Sequence, residues 1–127
     1  PLNYDKKEIR VFRLLPGAWN DPLQCDMEVV SLTDEPTFSA LSYVWGKHPE
    51  DHKIMIGNHA FRIKPNLYTA LRRIRAHQKA KGEMGALWAD AVSIEQGNTR
   101  ERNHQVGLMV DIYSNCDQCF IWLGELA

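Results

Sequence analysis

The spacing of apolar and polar residues in the first half of the chain predicts five short strands. Three apolar-rich runs end at turn residues, and two shorter runs flank Gly57 and Asn58. A two-residue Gly-Asn loop is typical of a β-hairpin, because glycine readily adopts the positive φ that a tight turn requires. The predicted strands cover residues 8–14, 27–32, 38–45, 53–56 and 59–63.

The second half is predicted to contain two helices and two strands. Leu67, Leu71 and Ile74 recur at helical spacing. Pro65 favours the start of that helix and Gly82 favours its end. After it the pattern predicts a strand over residues 86–89, a helix from about 98 to 114 and a strand over 119–123.

The order of strand, helix and strand over residues 86–123 fits a parallel βαβ unit. We therefore expect an α/β domain with a mostly parallel central sheet and an added antiparallel β-hairpin. In open parallel sheets, ligands bind beyond the carboxyl ends of the strands. The predicted functional surface is the edge formed by residues 43–46, 90–96 and 101–105.

Length and charge narrow the class of protein. The 127 residues predict one domain over residues 1–127, and because the sequence begins at Pro1 we expect it to be part of a longer protein. Fifteen basic and sixteen acidic residues leave a charge of −1. No positive field therefore attracts nucleic acid or an anionic membrane. Uncharged apolar stretches reach only about five residues, against the roughly 20 of a membrane-spanning helix.

The three cysteines are too few for a disulfide scaffold and indicate a reducing, cytoplasmic compartment. Cys116 and Cys119 form a C-x-x-C pair. In a redox pair the first cysteine lies at a helix N-terminus, whereas this pair falls where a helix is predicted to end. A zinc site would need two further ligands. We expect both cysteines to be buried and structural, with no metal bound.

The predicted helix after Asn98 carries the polar residues of greatest interest. At about 100° per residue, Glu101 and Gln105 share its buried stripe, and Arg102 begins the adjoining stripe. A charge at the head of a buried stripe needs a partner or a ligand. Asp90 is the expected partner of Arg102. Glu101 either completes a capping box with Asn98 or faces a ligand.

The remaining candidates near the strand ends also have two interpretations each. Tyr43, Trp45 and Trp122 are either core residues or platforms on which a ligand ring stacks. Gln96, like Gln105, either hydrogen-bonds the backbone of the 91–97 loop or contacts a ligand. The sequence has no catalytic-triad order, dinucleotide fingerprint or phosphate-binding loop that would favour one chemistry.

Three blocks of sequence stand out at these positions. They read Ser-Tyr-Val-Trp-Gly at 42–46, Leu-Trp-Ala-Asp-Ala-Val-Ser-Ile-Glu-Gln at 87–96, and Glu-Arg-Asn-His-Gln-Val at 101–106, the last continued by Trp-Leu-Gly at 122–124. In this order and spacing they resemble the fungal heterokaryon incompatibility (HET) domain family over roughly residues 8–124. The resemblance adds Gly46 and Gly124 to the candidate site residues.

The resemblance implies a role in non-self recognition between fungal cells, with programmed cell death as the output. The domain would be the effector module of a larger protein and would act by self-association or by binding protein partners, without a cofactor. The family is also similar to Toll/interleukin-receptor (TIR) domains, which have a flavodoxin-like α/β fold.

Some TIR domains cleave NAD with a glutamate. By that analogy Glu101 and Asp90 are candidate catalytic residues, NAD is a possible substrate, and Tyr43 or Trp45 would stack on a ring of it. A scaffold domain without catalysis is the further alternative.

Three positions depart from the family's usual second block, which reads like Trp-Ile-Asp, then Cys-Ile-Asn-Gln. Ala89 replaces the isoleucine, Ser93 the cysteine and Glu95 the asparagine. The missing cysteine argues against a thiol nucleophile at that position, and Ser93 has no base beside it in the sequence.

Overall fold

The computed structural model describes residues 2–44, 49–50, 52–83 and 85–122. In them, the predicted helices and strands of the second half occur in the predicted order, with an additional one-turn helix at Asp90–Ser93, where only a connection was predicted. The elements are β1 (Glu8–Leu14), β2 (Gln24–Ser31), a 3₁₀ turn (Leu32–Asp34), β3 (Ser39–Tyr43), β4 (His52–Ile56), β5 (His59–Ile63), α1 (Pro65–Lys81), β6 (Leu87–Trp88), α2 (Asp90–Ser93), α3 (Thr99–Gly107), α4 (Met109–Asn115) and β7 (Gln118–Trp122).

The described strands form one mixed sheet in the order β5-β4-β2-β1-β6-β3-β7. β3 runs parallel to both β6 and β7, and β2 runs parallel to β4. β1 is antiparallel to both of its neighbours, and β4 and β5 form the predicted antiparallel hairpin. The expectation of an α/β domain with an added hairpin is confirmed, but the prediction of a mostly parallel, flavodoxin-like sheet is wrong.

The connection between β1 and β2 explains why the sheet is mixed. Parallel neighbours need a crossover of about a dozen residues or more, usually a helix. Residues 15–23 are too few for such a crossover and contain no helix, so β2 returns antiparallel to β1. The βαβ unit is confirmed, since β6 and β7 run parallel and flank β3.

Two hydrophobic clusters hold the helices to the sheet. Leu87 belongs to one cluster and Trp88 to the other, and consecutive strand residues point to opposite faces. The sheet therefore lies between α1 and α4. The first cluster includes Phe12, Leu14, Leu41, Leu67 and Leu71, and the second includes Ile9, Val11, Phe38, Leu108 and Ile112.

The helix boundaries follow local sequence signals, with one exception. α1 begins at Pro65 and ends at Lys81, and Gly82 after it has a φ of +68°, the left-handed conformation of a helix C-cap. The single helix predicted over 98–114 is two helices, because the chain turns at Leu108 (φ −92°, ψ −4°) directly after Gly107, a poor helix former. No helix in the described part of the chain combines the length and the apolar character needed to cross a membrane.

Arg75 of α1 fixes the connection between β1 and β2. Its side chain is buried, and its guanidinium donates to the backbone carbonyls of Ala18 (2.7 Å), Asp21 (2.9 Å) and Pro22 (3.0 Å). Arg72, one turn earlier, donates to the carbonyl of Trp19 at 3.0 Å. An irregular segment without ladder hydrogen bonds thus has its carbonyls satisfied by arginine.

Arg75→Met is expected to lower the free energy of unfolding by roughly 2–4 kcal/mol, because the methionine keeps the apolar stem but leaves the carbonyls of Asp21 and Pro22 without the donor that Arg75 supplies. Urea unfolding followed by tryptophan fluorescence measures the loss. Lys79→Met, at an exposed position one turn later on α1, is the matched control and should change stability by less than about 0.5 kcal/mol. Equal effects of the two substitutions would contradict the role assigned to Arg75.

Candidate functional site

The carboxyl ends of three parallel strands meet at one edge of the sheet. Tyr43 ends β3 and lies in register with Trp122, which ends β7. Asp90 follows β6 on the other side of β3. The structure therefore brings together these three predicted residues, while the predicted residues Trp45, Gly46 and Gly124 lie outside the described residues.

The one-turn helix α2 follows β6 and fixes the start of the next loop. The backbone N–H of Ala89 donates to Oγ of Ser93 at 3.1 Å, and Ser93 is fully buried. The side-chain amide of Gln96 donates to the carbonyl of Asp90 at 2.8 Å. Ser93 and Gln96 thus bind the backbone of this turn, as one of the two interpretations of Gln96 predicted.

Asn98 caps α3, as the sequence predicts. Its side-chain oxygen accepts a hydrogen bond from the backbone N–H of Glu101 at 3.0 Å. The reciprocal half of a capping box does not form, because the Glu101 carboxylate turns to other donors. Oε2 of Glu101 accepts from the backbone N–H of Glu95 at 2.7 Å.

The principal partner of Glu101 is Arg10 of β1. Nη1 and Nη2 of Arg10 lie 2.7 Å and 2.8 Å from the two carboxylate oxygens, a bidentate pair. The side chain of Glu101 is 2% exposed and that of Arg10 is 18% exposed. Nη1 also reaches the carbonyl of Ser93 at 3.4 Å. One guanidinium therefore ties β1 to α2 and to the first turn of α3.

This pair sets the protonation of Glu101. The hydrogen bonds from Arg10 lower the pKa of the Glu101 carboxyl below its ordinary value, and burial, which acts in the opposite direction, is the smaller effect. The hydrogen bond from Glu95 lowers the pKa further. Glu101 is therefore a carboxylate at neutral pH.

Arg102 and Gln105 have different surroundings from those expected. Arg102 is exposed and does not pair with Asp90; Nη1 of Arg102 is 3.5 Å from the carbonyl of Gln96. Val106, one turn later on α3, is also exposed, so this side of the helix faces solvent. Gln105 is fully buried and donates to the carbonyl of Glu8 at 3.0 Å, so it binds β1 and not the 91–97 loop.

A cavity of about 670 Å³ opens at the strand ends, and we call it the strand-end cavity. It lies between the end of β3, the end of β5 with the start of α1, and the loop that joins α2 to α3. Three predicted residues, Tyr43, Gln96 and Arg102, line it, whereas Asp90, Glu101, Gln105 and Trp122 are not among its lining residues. The remaining lining residues are Glu50, Phe61, Arg62, Ile63, Lys64, Ala91, Ile94, Glu95 and Gly97.

Tyr43 is kept protonated at the edge of this cavity. Burial raises the pKa of its hydroxyl, and the negative charges of Asp90 and Glu50 raise it further. At neutral pH Tyr43 is therefore a phenol and not a phenolate, and its aromatic ring lines the cavity.

The cysteine pair is only partly buried. Cys116 is half-buried and its Sγ lies 3.2 Å from the carbonyl of Tyr113, but Cys119 is exposed, so the prediction that both are buried is wrong for Cys119. The reason is that β7 is an edge strand, with β3 on one side only among the described strands. The described residues contain no group of three or more histidine, cysteine or acidic side chains arranged to hold a metal ion.

Arg10 is the site residue that sequence reasoning missed. Its signal is local: a charged residue between the buried Ile9 and Val11, in a strand that is otherwise mostly apolar. Such a residue needs a buried partner of opposite charge. The sequence does not reveal which carboxylate supplies it, because Glu101 is 91 residues away.

Comparison with known proteins identifies the family. A family model described as "Heterokaryon incompatibility protein (HET)" matches residues 38–127, more than half of the chain. The chain is 35% identical over 133 residues to heterokaryon incompatibility protein 6, OR allele, of Neurospora crassa. That alignment covers 97% of this chain and 20% of the relative, so the chain spans about a fifth of the relative's length. No solved structure matches the chain significantly.

The family match and the motifs at the strand ends agree. The chain belongs to the heterokaryon incompatibility (HET) family. The matched region contains Tyr43 of β3, the α2 turn, Glu101 and β7. Arg10, which holds Glu101, lies before the matched region.

Glu101→Gln and Arg10→Met are each expected to destabilise the fold by about 3–5 kcal/mol at pH 7, since each leaves the other buried group without its charged partner. The loss of stability in the double variant should be smaller than the sum of the two single losses, because the second substitution removes the unpaired charge. Urea unfolding of the four proteins measures this coupling. Additive effects would contradict a direct pair.

The difference in stability between wild type and Glu101→Gln should also depend on pH. A carboxylate whose folded pKa is lowered contributes stability that is complete above its unfolded pKa, about 4.3, and is lost as the pH falls through the folded pKa. The difference is therefore expected to be constant between about pH 6 and 8 and to shrink below about pH 4. A difference that grows on acidification would show that the pair does not form.

Proposed function

We propose that this domain is an effector module of fungal non-self recognition, and that it promotes programmed cell death by associating with itself or with a protein partner in the cytoplasm. Family membership supports the role in non-self recognition. The three free cysteines, Cys25, Cys116 and Cys119, suit a reducing compartment. The burial of Glu101 is the observation that favours association over catalysis.

A catalytic carboxylate must reach the reacting atoms of its substrate. Both oxygens of Glu101 are already bound by Arg10, and one of them also by the backbone of Glu95. The side chain is 2% exposed and does not line the strand-end cavity. These contacts support a structural role for Glu101 and a domain that acts through its surface.

The surface offers apolar groups for such contacts. Four large aliphatic side chains are more than half exposed, although single exposed apolar residues are common on any protein. Val106 and Val110 are four residues apart at the junction of α3 and α4, and Val110 is the most exposed of the set. The four are Val44 (55%), Val106 (54%), Val110 (77%) and Ile121 (69%).

A second function, hydrolysis of NAD with Glu101 and Asp90, is favoured by one observation. The strand-end cavity has the size of a small-molecule site and lies beside Tyr43, the residue expected to stack on a ring of the substrate. For this function Glu101 would have to leave Arg10 and enter the cavity. The two functions therefore make opposite predictions for Arg10 variants.

The purified chain is expected to release no nicotinamide from NAD above the uncatalysed rate, as measured by chromatography of the reaction mixture. Arg10→Met and Glu101→Gln break the same ion pair, and we expect them to lose stability to a similar extent, which the urea unfolding described above checks. Nicotinamide release that persists in Arg10→Met and disappears in Glu101→Gln would establish Glu101 as catalytic and overturn the association proposal.

Val110→Asp is expected to reduce cell death at least tenfold when the chain is expressed in a filamentous fungus, because a carboxylate at an apolar contact must be desolvated. Viability staining measures death, and size-exclusion chromatography of the purified variants measures self-association. Ala80→Asp, at an exposed position of α1 on the opposite side of the sheet from α4, is the control and should leave both unchanged.

Loss of death and of self-association together would indicate contacts between copies, whereas loss of death alone would indicate a protein partner. Full killing by Val110→Asp would exclude this part of the surface from the association.

A further inference from the structure

The strand-end cavity carries an excess of positive charge. Arg62, Lys64 and Arg102 line it, against the two carboxylates Glu50 and Glu95. The chain as a whole has a formal charge of −1, so the excess is local. Cations collected around a concave surface favour an anionic ligand.

The guanidinium groups of Arg62 and Arg102 make few polar contacts with the rest of the protein. Within the described residues Arg62 makes no hydrogen bond or ion pair, and the polar contact of Arg102 is the 3.5 Å approach to the carbonyl of Gln96. Arg62 also stands directly opposite Lys53 in the β4–β5 hairpin, and like charges opposed across a hairpin destabilise it. A bound anion would relieve this repulsion.

The chemistry of arginine narrows the class of anion. A guanidinium presents paired N–H donors in a plane that match two oxygens of a phosphate, and phosphate retains charge at neutral pH. Lys64 precedes α1, whose first turn has no acidic residue and whose N-terminus has no side-chain cap. The positive end of this helix adds to the attraction for a phosphate group.

The rest of the lining is suited to a planar ring. Tyr43 and Phe61 are half-buried aromatic residues, and Ile63 and Ile94 are buried aliphatic ones. Aromatic side chains stack on nucleobases, and a cavity of about 670 Å³ lies within the range of about 300–1,000 Å³ that holds small organic ligands. The phosphate-binding and ring-binding groups line one cavity.

We propose that the strand-end cavity binds a nucleotide, with its phosphates on Arg62 and Arg102 and its base against Tyr43 and Phe61. The proposal deepens the second proposed function, because NAD is itself a nucleotide, but binding requires neither cleavage of the ligand nor association of the domain, so a measurement of binding fails or succeeds independently of nicotinamide release. An effector domain with such a site would respond to the level of a small phosphorylated metabolite.

Isothermal titration calorimetry of the purified chain with ADP, adenosine and inorganic phosphate tests the proposal. ADP is expected to bind at least tenfold more tightly than adenosine or phosphate, because it engages both parts of the cavity, and its affinity should rise at low salt. Absence of ADP binding at millimolar concentration, or equal affinities for ADP and adenosine, would overturn it.

Two pairs of variants locate the site. Arg62→Gln is expected to weaken ADP binding at least tenfold, whereas Lys81→Gln removes a positive charge from the far end of α1, which does not line the cavity, and should have little effect. Arg102→Gln and Arg100→Gln form the second pair on α3, since Arg100 lies over the ring of Tyr4 and not at the cavity.

All four side chains are exposed, so circular dichroism should show unchanged folding. Equal losses within each pair would show a general charge effect and would refute the site.

Discussion

The ion pair between Arg10 and Glu101 is the interaction on which the functional edge of this domain depends. It joins the first strand of the chain to the first turn of α3, and the same groups bind the backbone at Ser93 and Glu95. Burying the Glu101 carboxylate without Arg10 would cost free energy. The pair therefore holds β1 and the first turn of α3 together. The loop over residues 94–97, which forms one wall of the strand-end cavity, is positioned by this pair.

The charged side chains on the two sides of this loop have different roles. Glu101, on the core side, is buried and bound at both oxygens, so its charge organises the structure. Arg62 and Arg102, on the cavity side, are exposed and weakly held, which leaves their charge for recognition. The family resemblance indicates Glu101 as the functional group, whereas the geometry indicates the strand-end cavity.

Local features of this fold could be predicted from the sequence, and features that depend on distant partners could not. The bounds of β1, the Gly57 hairpin, the start of α1 at Pro65 and the cap at Asn98 are confirmed, because each depends on neighbouring residues. The mixed sheet was missed, since strand direction depends on how the β1–β2 connection folds against α1.

The candidate site also has features that could be predicted from the sequence and features that could not. The meeting of the β3, β6 and β7 ends follows from the βαβ pattern, and Tyr43, Gln96 and Arg102 line the cavity there. The partner of Glu101 could not be predicted, because no local pattern links two residues 91 positions apart. For the same reason Arg102 was assigned to Asp90, the nearest carboxylate in the sequence. Roles for Trp45, Gly46 and Gly124 stay predictions.

The place of β3 between β6 and β7 has a consequence during protein synthesis. β3 is translated before both of its partners, and its register partner Gln118 follows Ser39 by about 80 residues, which take roughly 4–16 s at ribosomal rates of about 5–20 residues per second. Until β6 is translated, about 48 residues after Ser39, the apolar Ala40 and Leu41 lie in a nascent segment with both hydrogen-bonding edges open, and the edge that β7 covers stays open for the rest of the delay. A strand with unpaired edges can bind a chaperone at the ribosome. Slow translation of the residues between β3 and β7 would raise the risk that this strand aggregates.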